Sequence, residues 1–141
     1  MNIVWNWLPN IGLGPISLGS LISSYIEIYK LEIDEEDVDD TGWLQYKFPT
    51  KEIYIQVDIS TNLVESILSY DDFYYKGKNI IGIGLDELEI LLRCKPDEIG
   101  ESVVYDDADV QTPYDYISIG LQVWTSNSKI VSASCVNYGT A

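Results

Sequence analysis

The chain contains no histidine, and its 141 residues include only 8 lysines and arginines, two cysteines and one methionine. Without histidine it lacks the commonest general base, the usual partner of a nucleophilic serine or cysteine, and the commonest zinc ligand. Most hydrolase mechanisms are therefore excluded. A pair of carboxylates remains possible as acid and base, as in glycosidases. Because nearly every carboxylate lies in a polar segment, we expect solvated surface charges and no catalytic residue, so the chain is predicted not to be an enzyme.

The two cysteines do not form a recognisable motif. Cys94 and Cys135 lie in apolar or mixed segments and lack the Cys-x-x-Cys spacing of redox and zinc sites. We interpret both as buried, reduced thiols of a cytosolic protein. The glycine pairs at 12–14 and 82–84 do not complete a phosphate-binding motif, and no acidic segment has EF-hand spacing. We therefore expect neither a metal nor a cofactor.

The first 26 residues carry no charged side chain. Polar residues, glycines and prolines interrupt this stretch, which also lacks the basic start of a secretory signal and the apolar length of a membrane helix. We expect it to be part of a folded domain that acts in the cytoplasm, away from membranes.

The chain carries 23 aspartates and glutamates, which gives a formal net charge of −15. This charge repels phosphate groups, so direct binding to nucleic acid or to an anionic membrane is disfavoured. The charge is larger than solubility requires, and its self-repulsion destabilises a compact fold. We therefore predict that the partner is a basic protein, which would neutralise the excess charge.

Similar segments recur at a nearly constant spacing. Residues 16–22 resemble a segment 67 positions later, and residues 55–58 resemble one 66 positions later. Two matches with almost the same offset indicate tandem copies of one unit. We predict a single domain over residues 1–141 with two repeat units, at about 10–70 and 77–138.

Each unit begins with apolar residues at helical spacing, which predicts one helix at 18–26 and another at 85–92. Gly84 precedes the second helix and Pro96 follows it, as expected at the two ends of a helix. Alternating and β-branched segments then predict strands at 43–48, 52–58, 63–70, 102–105, 114–124 and 129–136. Short polar turns favour antiparallel hairpins. The predicted class is α+β, with antiparallel sheets and packed helices in two α-β-β-β units.

Two acidic segments occupy corresponding places in these units. Residues 32–40 contain seven carboxylates. The segment that corresponds to residues 34–40 is 101–107, which lies inside a stretch at 97–115 with seven acids and no basic residue. We predict that both are loops between the helix and the first strand of their unit. Together they would form a negative surface that attracts a cationic partner.

Aromatic residues lie beside the acids and would supply contact area and hydrogen bonds at an interface. Packing within strands is the alternative role of any single tyrosine. We predict that the partner binds the acidic and aromatic residues of these segments and of the linker between the units, namely Asp34, Glu35, Glu36, Asp37, Asp39, Asp40, Trp43, Asp71, Asp72, Tyr74, Tyr75, Tyr105, Asp106, Asp107 and Asp109.

Four segments of the second half, at 81–92, 95–98, 114–116 and 120–124, resemble the small cytoplasmic immunity proteins of bacterial polymorphic-toxin and contact-dependent inhibition systems. The resemblance covers mainly residues 77–136. It implies a protein that binds its cognate toxin domain, often a nuclease, and blocks the active site or an essential face. Nuclease toxins have basic clefts, for which an acidic inhibitor can compete. Genes of such immunity proteins usually follow the toxin gene.

Two other functions remain open. A nucleic-acid mimic, which displaces DNA or RNA from a binding protein, also requires dense carboxylates. A carbohydrate-active enzyme would require two carboxylates facing each other in a pocket. The contact with a protein partner could also be made by an exposed strand edge instead of the acidic loops.

Overall fold

The computed structural model describes residues 3–37 and 42–139. The strands of this part of the chain are β1 (Trp7–Leu8), β2 (Gly12–Leu13), β3 (Ile16–Ser17), β4 (Glu32–Asp37), β5 (Trp43–Lys47), β6 (Ile53–Asp58), β7 (Val64–Ser69), β8 (Tyr74–Tyr75), β9 (Lys78–Asn79), β10 (Glu98–Ile99), β11 (Val103–Val104), β12 (Val110–Tyr116), β13 (Leu121–Ser126) and β14 (Lys129–Val136). Its helices are α1 (Ile26–Tyr29) and α2 (Leu85–Leu92), with 3₁₀ turns at Ile22–Ser24 and Ile117–Ile119.

A 9-stranded antiparallel sheet runs in the order β10-β12-β13-β14-β7-β6-β5-β4, with β11 also paired to β12. At its centre β7 pairs with β14, so that Ser66 lies opposite Val136 and Ser69 opposite Ala133. The predicted α+β class with antiparallel sheets is confirmed. Strands β4–β7 lie on one side of this central pair and β10–β14 on the other, and the proposed duplication stays a prediction.

One face of this main sheet forms the hydrophobic core. Alternate residues of β6 and β13 point into it, including Ile53, Ile55 and Leu121, which are fully buried. A second layer covers this face, consisting of the small sheet β1-β2-β3, the hairpin β8–β9 and the two helices, and it contributes Trp7 and Leu88 to the core. Each fully buried aliphatic side chain stabilises the fold by about 1.5–3 kcal/mol. Because alternate strand residues are apolar, one face of the main sheet requires such a covering layer.

Helix α2 forms over the predicted residues. It begins after Gly84, carries Asp86 and Glu87 in the first turn, where the helix dipole favours anions, and ends at Arg93, whose backbone is left-handed with φ 60°. Its Leu88 is fully buried in the hydrophobic core. Among the described residues, no helix has the length and apolar character needed to cross a membrane.

The predicted helix at 18–26 is wrong. Ile16–Ser17 form β3, and only Ile26–Tyr29 form a short α-helix. Between them the Gly19 N–H donates to the Val64 carbonyl, and the Val64 N–H donates to the Ser20 carbonyl. Backbone groups bonded to another segment cannot also make helical bonds. The apolar spacing of this segment therefore reflects packing on the core and not a helical period.

The single strand predicted at 114–124 is also wrong. β12 ends at Tyr116 and β13 begins at Leu121, with a 3₁₀ turn and the left-handed Gly120 between them. The Gly120 N–H donates to the Ile117 carbonyl at 3.2 Å and closes the turn. The isoleucines of this turn, Ile117 and Ile119, give it the composition of a strand, although the following Gly120 is a residue typical of turns.

The acidic segment predicted as a loop begins as a strand. Glu32–Asp37 form β4, which pairs with β5 at one edge of the main sheet. Residues 38–41, with the predicted site residues Asp39 and Asp40, lie outside the described residues. The second acidic segment, residues 101–107, likewise contains strand β11, and the surrounding stretch at 97–115 contains β10 and most of β12. Charged side chains are typical of edge strands because they discourage pairing with further chains.

The two cysteines differ in burial, so the prediction of two buried thiols is wrong for Cys94. Cys94 is exposed just after α2, whereas Cys135 is fully buried in β14. Burial raises the pKa of the Cys135 thiol to about 12. Burial and the nearby carboxylates of Asp97 and Glu89 also raise the pKa of the Cys94 thiol.

We expect only Cys94 to react with a thiol reagent while the protein is folded, because its thiol alone is accessible. At about pH 8 one thiol per chain should react slowly with a disulfide reagent, and the second only after unfolding in urea. The Cys94→Ser variant should show no reaction when folded. Rapid reaction of both thiols in the folded wild type would contradict this placement.

Gly120→Ala should destabilise the fold strongly, because an added Cβ would lie 2.7 Å from Asn10 Oδ1 and 2.8 Å from the Val136 carbonyl oxygen. Gly19→Ala is the matched control, since Gly19 also has a positive φ of 77° but has no atom within 4 Å of such a Cβ. We expect a loss of unfolding free energy of about 1–2 kcal/mol for Gly19→Ala. For Gly120→Ala we expect about 3 kcal/mol or more in urea unfolding. Equal losses would show that the close contacts are unimportant.

Candidate functional site

The face of the main sheet opposite the core carries a groove of about 370 Å³, called here the sheet groove. It crosses the centre of the sheet, where β7 and β14 pair. Its floor contains the small side chains Ser66, Ser132 and Ser134, together with Leu68 and Val136. Small floor residues leave space above the backbone, and larger side chains on the surrounding strands form the walls.

Four aromatic side chains line the walls of the sheet groove. Trp43 comes from β5, Trp124 from β13, Tyr70 from the residue after β7, and Tyr105 from the residue after β11. The strand residues point to this face because they alternate with core residues such as Val123. Aromatic rings around a concave site supply contact area with little loss of side-chain entropy, as binding surfaces require.

A second recess of about 450 Å³ adjoins the sheet groove and shares Leu68 and Tyr70 with it. Its other lining residues include the carboxylates Asp34 and Glu52 and the phenol of Tyr54. The Tyr54 hydroxyl donates to Glu52 Oε2 at 2.5 Å, and this bond raises the pKa of Tyr54. We call this recess the acidic recess.

Two more carboxylates flank the opposite side of the sheet groove. Asp109 accepts hydrogen bonds from the Ser126 hydroxyl and from Gln111 Nε2, and these bonds lower the pKa of Asp109. Asp115 accepts from Gln122 Nε2 at 2.9 Å and from the Tyr138 hydroxyl at 2.7 Å. The groove therefore has carboxylates at both ends.

The 8 lysines and arginines all lie in the described residues, and none of them lines the sheet groove or the acidic recess. Lys47 lies 4.0 Å from Glu52, and Lys51 pairs with Asp72 at 2.7 Å, both at the surface. Carboxylates also occur on the helix side of the molecule, for example on α2. Negative charge alone therefore does not distinguish the groove; its combination with aromatic walls does.

The structure brings together only some of the predicted site residues. Trp43 and Tyr105 line the sheet groove, Asp34 lines the acidic recess, and Asp109 bonds to the groove residue Gln111. The backbone of residues 35–37 lies in the edge strand β4 next to them.

Six other predicted residues, all among those that the structure describes, do not line the groove. Asp72 is paired with Lys51, and Asp71 Oδ2 accepts the Glu52 N–H at 2.8 Å. Tyr74 and Tyr75 form β8 in the covering layer, where the ring of Tyr75 lies 5.0 Å from that of the buried Trp7. Asp106 and Asp107 are exposed in the turn that follows the groove residue Tyr105.

The groove residues that the sequence analysis missed are mainly amides and hydroxyls, namely Gln56, Ser66, Tyr70, Gln111, Gln122, Trp124, Ser132 and Ser134. The sequence contains a repeat signal that could have identified some of these residues. Gln56 and Gln122, like Ser66 and Ser132, are 66 positions apart, which is one of the offsets of the proposed repeat. Polar residues at corresponding places of alternating strands indicate a shared outer face.

Within the described residues, no group of three or more histidine, cysteine, aspartate or glutamate side chains is arranged to hold a metal ion. No protein-family model, curated protein or solved structure matches this chain.

The low pKa of Asp109 should depend on Ser126. Ser126→Ala removes the hydrogen bond that lowers this pKa most, so the pKa should rise towards its ordinary value of 3.8. Ser60→Ala is the matched control, because Ser60 lowers the pKa of Asp58 in the same way. Carboxyl carbon NMR during an acid titration would measure both. A change at Asp109 in the Ser60 variant, or none in the Ser126 variant, would contradict the assignment.

Proposed function

We propose that this chain is a cytoplasmic bacterial immunity protein that binds a cognate toxin, a basic nuclease domain, and occludes its active-site face in a one-to-one complex. It acts by binding alone, not as an enzyme, and needs no cofactor. The supporting observation is the sheet groove, with aromatic walls, carboxylates at both ends and no lining cation, on the sheet face opposite the core layer.

The charge of the groove favours a cationic protein over a nucleic acid. Carboxylates repel phosphate, whereas they accelerate the approach of a basic surface and hold it in register. The basic cleft with which a nuclease binds its own substrate has the complementary charge. An acidic protein that covers this cleft would exclude the nucleic acid, which is the inhibition implied by the resemblance to immunity proteins.

The groove chemistry also favours binding over catalysis. Its floor and walls consist of hydroxyl, amide, aromatic and aliphatic groups, and the flanking carboxylates of Asp109 and Asp115 are occupied as hydrogen-bond acceptors. A retaining or inverting glycosidase would need one carboxyl group kept protonated by an apolar environment. The donors around Asp109 lower its pKa and so favour its charged form instead.

A nucleic-acid mimic is the second candidate, favoured by the carboxylates that lie on the helix side as well as around the groove. Such a mimic would inhibit several unrelated DNA- or RNA-binding proteins. An immunity protein would inhibit only its own toxin. Inhibition assays on a panel of unrelated nucleases would separate the two.

Capture of the toxin encoded beside this chain's gene should be fast and should slow in salt. Asp34→Asn, Asp109→Asn and Asp115→Asn together should lower the association rate at least about fivefold at low salt. The control changes the same number of charges on the helices, with Glu27→Gln, Asp86→Asn and Glu89→Gln, and should have a smaller effect. Stopped-flow or surface-binding kinetics would measure both rates.

An association rate that is the same at low and high salt would contradict electrostatic capture. Equal slowing by the groove and helix variants would place the contact elsewhere. Failure of the wild-type protein to bind or inhibit the neighbouring gene product would contradict the immunity function itself.

A further inference from the structure

We propose that the sheet groove is an arginine-binding site, in which a guanidinium group of the partner stacks on the aromatic walls and donates to glutamine carbonyl oxygens. This proposal rests on the proposed function and specifies the chemistry by which the partner is recognised. It follows from the direction of the hydrogen bonds among the groove's glutamines.

Gln56 belongs to a hydrogen-bond chain that ends on a carboxylate. Gln56 Nε2 donates to Gln45 Oε1 at 3.1 Å, and Gln45 Nε2 donates to Asp34 Oδ2 at 2.9 Å. An ionised carboxylate can only accept hydrogen bonds. Asp34 therefore fixes the amide orientation of Gln45, and Gln45 in turn fixes that of Gln56.

The other two groove glutamines are oriented in the same way. Gln111 Nε2 donates to Asp109 Oδ2 at 3.0 Å, and Gln122 Nε2 donates to Asp115 Oδ1 at 2.9 Å. All three amides thus direct their donor ends to a carboxylate or to an amide bound to one. Flipping any of them would place an amide oxygen against an acceptor, which is repulsive.

The amide oxygens are consequently what these glutamines offer to a ligand. Gln122 Oε1 already accepts from the indole N–H of Trp124 at 3.1 Å and has a second lone pair. Within residues 3–37 and 42–139, the side-chain oxygens of Gln56 and Gln111 accept no hydrogen bond. The groove is therefore rich in hydrogen-bond acceptors. Its serine hydroxyls can act either as donors or as acceptors.

An acceptor-rich, aromatic and negatively flanked groove fits arginine better than other ligands. A guanidinium has five N–H donors and no acceptor, and its plane stacks on indole and phenol rings. Lysine has fewer donors and no flat surface, a sugar needs donors as well as acceptors, and a phosphate is repelled. A volume of about 370 Å³ is at the small end of ligand sites and suits one or two side chains.

The test uses two short peptides of equal charge, one with two arginines and one with two lysines, each separated by glycine and blocked at both termini. Indole N–H signals report binding in proton–nitrogen NMR. Trp43 and Trp124 line the groove, while the buried Trp5 and Trp7 serve as internal references. We expect the arginine peptide to shift the two groove signals and to bind at least about fivefold more tightly than the lysine peptide.

Gln56→Leu combined with Gln111→Leu removes two acceptors and keeps the net charge. We expect this variant to bind the arginine peptide about tenfold more weakly and the lysine peptide less than about twofold more weakly. Ser23→Leu, an exposed neutral residue of the covering layer, is the control and should bind both peptides like the wild type. Urea unfolding of both variants would check that the fold is retained.

Several results would overturn the arginine site. They are equal affinity for the two peptides, movement of the Trp5 or Trp7 signals alone, or tighter binding of a neutral oligosaccharide such as cellohexaose in the groove. Unchanged capture of the toxin by the double glutamine variant would also refute it. If the aspartate variants still slow that capture, the immunity function stands and only the arginine site fails.

Discussion

The pairing of β7 with β14 is the contact on which the rest of the structure depends. It joins a segment of four antiparallel strands, β4–β7, to one of five, β10–β14, in one continuous sheet, and its four residue pairs lie at the centre of that sheet. On one face these strands bury Ile67 and Cys135 in the core; on the other, Ser66 and Ser134 form the floor of the groove. Loss of this pairing would therefore remove the core and the candidate site together.

The groove is a consequence of strand alternation combined with side-chain size. Bulky aliphatic residues at every second position require a covering layer, which the small sheet, the hairpin and the helices provide. The alternate positions carry serine and glutamine near the centre and aromatic residues further out. A sheet with small central side chains and large outer ones is concave at the side-chain level, even though its backbone is continuous. No loop is needed to build the cavity floor.

Much of the fold follows from local patterns, and the exceptions have identifiable causes. The strands Ile53–Asp58 and Lys129–Val136 and the helix Leu85–Leu92 show clear periods and bounded ends, so the sequence predicts them well. The segment around Gly19 fails because its backbone bonds to a distant strand. In the site, Trp43 and Tyr105 were found through their acidic neighbours. The glutamines were missed because the direction of an amide depends on partners that only the folded chain brings close.

The acidic edge strand β4 has a consequence for how crowded copies of this protein behave. Five of its six residues are aspartate or glutamate, and its outer backbone edge is the last in the strand order of the described sheet. Two copies that approached edge to edge would bring these rows of like charge together, so growth of the sheet into fibres is opposed by repulsion. High ionic strength would weaken this repulsion between copies. A strand of another protein that is rich in lysine or arginine would instead be attracted to β4, so the same edge that opposes self-association leaves pairing with a basic strand unopposed.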